Sequence, residues 1–95
     1  MEPEDPIEIP INGELDLHTF RPNEIGDLVP DYLEACRERG ILSVRVIHGK
    51  GTGALRKGVH AILDKLHYVT GYRGAPEWNG GWGATIVNLQ PLNQK

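Results

Sequence analysis

The sequence predicts a small α/β domain, a two-layer sandwich with a βαβαββ core in which two helices cover one mixed four-stranded sheet. Three observations carry that expectation. The 95-residue length allows a single core, since a chain this short buries only about two-thirds of its unfolded surface. Two segments place apolar residues at the three- and four-residue spacing of amphipathic helices. Around them lie short runs of alternating or continuous β-forming residues, and the alternation of strand and helix requires right-handed βαβ crossovers.

Residues 1–13 are expected to be an N-terminal tail with an edge strand, and residues 14–92 the domain proper. Met1 to Pro6 is rich in acid and proline and lacks the apolar groups that offset the entropy of ordering. Ile7, Ile9 and Ile11 alternate with Glu8 and Pro10, an edge-strand pattern closed by the turn pair Asn12-Gly13. In Glu14 to His18 the leucines at 15 and 17 fall on one face, so Asp16 and His18 project together from the other.

Ile25, Leu28, Val29, Tyr32, Leu33 and Cys36 mark the first helix between Arg21 and Gly40. Pro30 lacks an amide and clashes with the preceding turn, which predicts a kink or two short helices near Val29, with Gly40 as the stop. Cys36, the lone cysteine, has no disulfide partner within the chain, and its place on the stripe assigns it to the core. Ile41 to Ile47 reads as a buried strand of the parallel kind. Leu55, Val59, Ile62, Leu63 and Leu66 form the stripe of the second helix. Tyr68 to Tyr72 reads as a short strand, Gly74 to Gly81 as a loop, and Trp82 to Leu89 as the final strand.

The net charge of −3 conceals a division along the chain. Residues 1–38 hold eleven acids and two bases, net −9, whereas residues 39–73 hold seven bases against Asp64 alone, net +6. A basic segment in an acidic protein suggests a local anion site. No stretch approaches the roughly 18 apolar residues of a membrane span, and the start is acidic where a signal peptide is basic, so the expected location is the cytoplasm without a membrane partner.

If the strands beginning at Glu14 and Ile41 run parallel, His18 and His48 leave the sheet at one edge, where open α/β sheets bind ligands. There the turn His48-Gly49-Lys50-Gly51-Thr52-Gly53 joins a strand directly to a helix. Its glycines permit close backbone approach, the first-turn amides of a helix starting at Ala54 form an anion cradle, and Lys50 and Arg56 add positive charge. The spacing is neither that of a Walker loop nor that of a dinucleotide fingerprint. Asp16 and His18 suit an acid-base pair, an imidazole oriented by a carboxylate, or alternatively two ligands of a divalent metal such as magnesium or manganese. His60 and His67 belong to the second helix and its exit, with surface or packing roles, and no Cys/His spacing marks structural zinc. Trp78 and Trp82 flank Gly80-Gly81 and suit either base stacking or core packing.

Leu15-Asp16-Leu17-His18, His48 to Gly53 with Leu55-Arg56, and Gly80-Gly81-Trp82-Gly83-Ala84-Thr85-Ile86-Val87 occur in an order and spacing that resemble the Smr (small MutS-related) domain family over about residues 14–89. Thr19 stands where many members carry glycine. The resemblance implies a fold similar to the C-terminal domain of a bacterial translation initiation factor. It also implies endonuclease activity on DNA or RNA, with nucleic acid and the ribosome as partners and DNA repair or ribosome quality control as settings. By motif it assigns Asp16 and His18 to cleavage, and His48 to Gly53 to substrate binding. The expected catalytic set is therefore Asp16, His18 and His48, with Gly49, Lys50, Gly51, Thr52, Gly53, Arg56, Gly80, Gly81 and Trp82 on the substrate. The alternative is a non-catalytic module that binds nucleic acid or a ribosomal surface through the same edge.

Overall fold

Four strands, β1 (Glu14–Asp16), β2 (Ser43–Ile47), β3 (Val69–Gly74) and β4 (Ala84–Leu89), form one sheet in the order β1-β2-β4-β3. The computed structural model describes residues 9–49, 51, 53–79 and 81–92, leaving the side chains of Asn79 and Trp82 outside the description. β1 runs parallel to β2 with Asp16 opposite Ile47, while β4 is antiparallel to both β2 and β3. Two helices, α1 (Ile25–Glu38) and α2 (Ala54–Lys65), cover one face of this mixed sheet, as the sequence predicts.

The core is the layer between helices and sheet. Leu15, Leu17, Val44, Val46 and Val87 from the sheet side meet Val29, Leu33, Cys36 and Val59 from the helices, all 0% exposed. The predicted leucine parity of β1 therefore holds, and the same alternation turns Asp16 and His18 outward. On the open face the register sets Glu14 beside Arg45, and the two form an ion pair.

Several expected boundaries move for identifiable reasons. α1 is one helix with Pro30 inside it rather than two short ones. Pro30 is the sixth residue of the helix, just past the four amides that lack intrahelical partners in any case, so the ring removes one bond, to Gly26, from a helix anchored by five buried side chains. Its C-terminal stop is as expected: Ile41 N donates to Cys36 O at 2.8 Å and Gly40 N to Arg37 O at 3.0 Å, a Schellman closure that uses Ile41 and delays β2 to Ser43. Of the expected edge strand at Ile7 to Ile11, residues 7 and 8 lie outside the description and 9–11 are not in the sheet. The Tyr32 hydroxyl instead accepts the amides of Asn12, Gly13 and Glu14 at 3.1 to 3.3 Å, pinning the chain where it enters β1. The last strand starts at Ala84 because Gly81–Gly83 forms a 3-10 turn.

Candidate functional site

β1 ends on a short side-chain lock. Leu17 N still donates to Ile47 O at 2.7 Å, but beyond it Asp16 Oδ1 accepts the His18 amide at 3.0 Å and the His18 ring at Nδ1 at 2.6 Å. A carboxylate can only accept, so Nδ1 carries the hydrogen and Nε2 is left on the side of the ring away from Asp16. Partial burial alone raises the Asp16 carboxyl, but the ring bond, the amide bond and the charge of His18 outweigh it and hold the group below its ordinary value. An acid and an imidazole are thus paired through one oxygen, both still half-exposed.

The parallel neighbour β2 ends beside this pair. His48 N and Gly49 N both donate to Gly83 O at 2.9 Å, so the third glycine-rich segment props the second from behind. Gly49 has φ +78°, and a β-carbon on it would lie 3.7 Å from His18 Cβ; the backbone comes close to His18 in a conformation that L side chains rarely adopt. Four residues on, Gly53 caps α2 in the left-handed region at φ +90°, and Lys57 N donates to Gly53 O to start the helix. The positive end of the α2 dipole thereby faces His18 across an open cleft of about 460 Å³. His18, His48, Gly49, Gly51, Gly53 and Arg56 all line it, joined by Arg21 and Phe20 from the turn after β1.

His48 is placed differently from His18. It is 3% exposed, its Nδ1 lies 3.1 Å from Gly49 O, and its Nε2 lies 2.9 Å from Thr85 Oγ1. Thr85, itself 0% exposed on β4, is also 3.0 Å from His60 Nε2 of α2. Burial lowers the pKa of His48, opposed by its bond to the Gly49 carbonyl and assisted by Arg56. Burial, Arg56 and His48 lower that of His60 against the pull of Asp64. From sequence, His60 has only a surface or packing role and Thr85 only a place in the third motif; the available signal for their meeting was Thr85, a polar residue sharing strand parity with Val87.

Of the remaining expected site residues, Lys50, Thr52 and Gly80 lie outside the described residues, as does the Trp82 side chain. Among the described residues, Asp16 and Gly81 stand off the cleft wall, Asp16 behind His18 and Gly81 buried in the 3-10 turn with its amide on Pro76 O at 2.8 Å. Trp78 is 84% exposed on the β3–β4 connection, whose return at Ala84 pairs with Ile47, so it emerges at the sheet edge that carries His48. Among the described residues no three His, Cys, Asp or Glu side chains cluster as metal ligands. Asp16 and His18 engage each other, so the donor set described does not fit a metal cage. Nor is any described helix long and apolar enough to cross a membrane.

Comparison with known proteins places this arrangement in a lineage. The sequence model of the Smr domain matches residues 15–90. Endonuclease MutS2 of Lactobacillus gasseri is 46% identical over 79 residues, which is 83% of this chain and 10% of that protein. Endonuclease MutS2 of Gemmatimonas aurantiaca is 45% identical over 78 residues, 80% of this chain and 9% of the relative. The chain thus spans about a tenth of the length of the curated relatives it matches. Among solved structures, the Smr domain of Thermus thermophilus MutS2 superposes with a TM-score of 0.80 at 38% identity, covering 84% of this chain and all of that one. YdaL, a stand-alone small MutS-related protein from Escherichia coli, does so at 0.77 and 27% identity, covering 82% and 64%.

Proposed function

The chain belongs to the Smr domain family, and from that premise we propose that it binds nucleic acid by the phosphodiester backbone and cleaves it as an endonuclease. One observation carries the reading: a carboxylate-paired imidazole and a glycine-rich strand-to-helix turn share the same cleft. The MutS2 relatives, named endonucleases, support the reaction class.

In this reading the phosphate sits at the positive end of α2 against the glycine turn. Lys50, Thr52 and Arg56 act on its oxygens, and Gly51 and Gly53 allow the strand to approach. His18 Nε2 takes the proton of a water or a ribose 2′-hydroxyl as that oxygen attacks phosphorus and charge builds on the equatorial oxygens; the bond from phosphorus to the leaving oxygen then breaks, its electron pair staying on that oxygen, which takes a proton from solvent. Asp16 holds the tautomer that leaves Nε2 available and stabilises the imidazolium once formed, the role an acid plays behind a histidine base generally. His48, buried with both ring nitrogens bonded, serves from behind the turn. Trp78 offers a face on which an unpaired base can stack, with Gly80, Gly81 and Trp82 shaping that flank.

The test is incubation of purified protein with supercoiled plasmid and with RNA, with and without chelator, comparing wild type with His18→Ala. Cleavage abolished by the substitution is expected. Cleavage that survives it refutes the mechanism. Retained binding with no cleavage by either protein assigns the edge to a binding module, for nucleic acid or a ribosomal surface.

A further inference from the structure

We propose that Thr85 and His60 are positioning residues: a chain from half-buried His60 through buried Thr85 to buried His48 fixes the glycine turn from behind the cleft. The inference rests on the reading of that turn as a phosphate site and adds to it two residues outside the turn itself.

The direction of every hydrogen in the chain follows from one end. Gly49 O can only accept, so His48 Nδ1 is the donor in their 3.1 Å contact. A neutral imidazole has one N–H, which leaves His48 Nε2 bare, so Thr85 Oγ1 must donate across 2.9 Å. With its only hydrogen committed, Thr85 Oγ1 is an acceptor towards His60 Nε2 at 3.0 Å, which fixes His60 as the Nε2–H form. The neutral state of both rings agrees with burial and Arg56 lowering both pKa values. The groups facing His60 are Arg56 and Asp64 of α2, His48 in edge contact at 6.2 Å, and Tyr72 of β3, whose ring centroid lies 4.7 Å away and whose hydroxyl donates to Asp64.

The consequence falls on Gly49. Its carbonyl is held by His48 Nδ1 and its amide by Gly83 O, and its α-carbon approaches His18. β4 supplies both Gly83, immediately before its first residue, and Thr85, so one strand sets the turn by a backbone bond and a relayed side-chain bond. Charging His48 reverses its bond to Thr85, and deleting the hydroxyl leaves His48 Nε2 and His60 Nε2 without their shared partner.

The experiment compares Thr85→Val, which keeps shape and removes the hydroxyl, with Thr85→Ser and His60→Gln. Nitrogen-15 imidazole spectra report the His48 tautomer, amide exchange reports the docking of Gly49 on Gly83, and anisotropy of a labelled single-stranded oligonucleotide reports binding. In Thr85→Val, a mixed His48 tautomer is expected, with Gly49 protection and oligonucleotide affinity each lower by about tenfold, the size of one unsatisfied buried polar group. Thr85→Ser should restore all three, and His60→Gln, which keeps a donor, should sit between. Wild-type tautomer and protection in Thr85→Val overturn the proposal, as does lost protection with full affinity. If Thr85→Val does not fold, the same readouts on His60→Gln decide between these outcomes. Should wild type fail to bind the oligonucleotide while Thr85→Val still loses protection at Gly49, the nucleic-acid reading falls and the positioning chain stands.

Discussion

Replacing Asp16 by asparagine keeps the side chain's shape and removes its charge, which isolates what the carboxylate does to His18. In the native pair Oδ1 accepts both the His18 amide at 3.0 Å and the ring at 2.6 Å. An asparagine can instead present its NH₂ group, in which case His18 Nδ1 accepts and the ring proton moves to Nε2, the nitrogen needed as a base. Charge-assisted hydrogen bonds contribute about 1.5 to 3 kcal/mol and neutral ones about 0.5 to 1.5. Because the His18 and Asp16 side chains are 61% and 50% exposed, solvent screening confines the stability loss to the low end, below about 1 kcal/mol. Turnover should suffer more, since a positioned general base is worth about 10² to 10⁴-fold, so kcat is expected to fall by about 10²-fold or further. Binding should hold or tighten, because a negative charge leaves the margin of an anion site. Single-turnover cleavage and anisotropy on the same oligonucleotide, with urea unfolding as control, separate the three quantities. Asp16→Asn with unchanged kcat, or with lost affinity and unchanged kcat, refutes the orienting role.

Other consequences follow from the same geometry. Leu17→Ala empties a 0% exposed position beneath His18 and should cost about 2 to 5 kcal/mol in chemical denaturation, the range for buried leucines. His48 and His60 have folded pKa values below their ordinary 6.5, so the unfolded chain binds more protons below that pH. Stability should therefore be full above pH 6.5 and decline as pH falls towards the folded values, with a shallower decline in His60→Gln, read from urea midpoints at successive pH. Asp16 adds the usual carboxylate behaviour, its contribution full above 3.8 and lost as the pH falls from there through the lowered folded value. Trp78→Ala should weaken single-stranded oligonucleotides by about 1 to 3 kcal/mol and leave the fold intact, since the side chain is 84% exposed; equal affinity in an anisotropy titration rejects the stacking role.

The architecture was legible because its signals are periodic. Leucine parity at 15 and 17 oriented β1, and the stripes of both helices identified the faces they bury. Pro30 misled because local sterics were weighed without the packing of Ile25, Val29 and Leu33, which holds the helix through the missing bond. The site was legible in part for a similar reason. Asp16 and His18 are two apart on one strand, and parallel pairing of two neighbouring strands puts His48 beside them. His60 and Thr85 were not legible because their meeting depends on how α2 lies over β4, 25 residues apart in the chain. The burial of His48, which the sequence places in the expected catalytic set, was not legible either, because it depends on the third motif folding over it through Gly83 and Thr85.

Backbone amide and imidazole spectra recorded during titration with a phosphorothioate oligonucleotide test most directly that two separated motifs make one phosphate site. The account predicts that the His18 ring and the amides of Gly49, Gly51, Gly53 and Leu55 move together along a single binding isotherm, an effect lost at high salt. Shifts confined to another face, or His18 unmoved while the glycine turn saturates, contradict it.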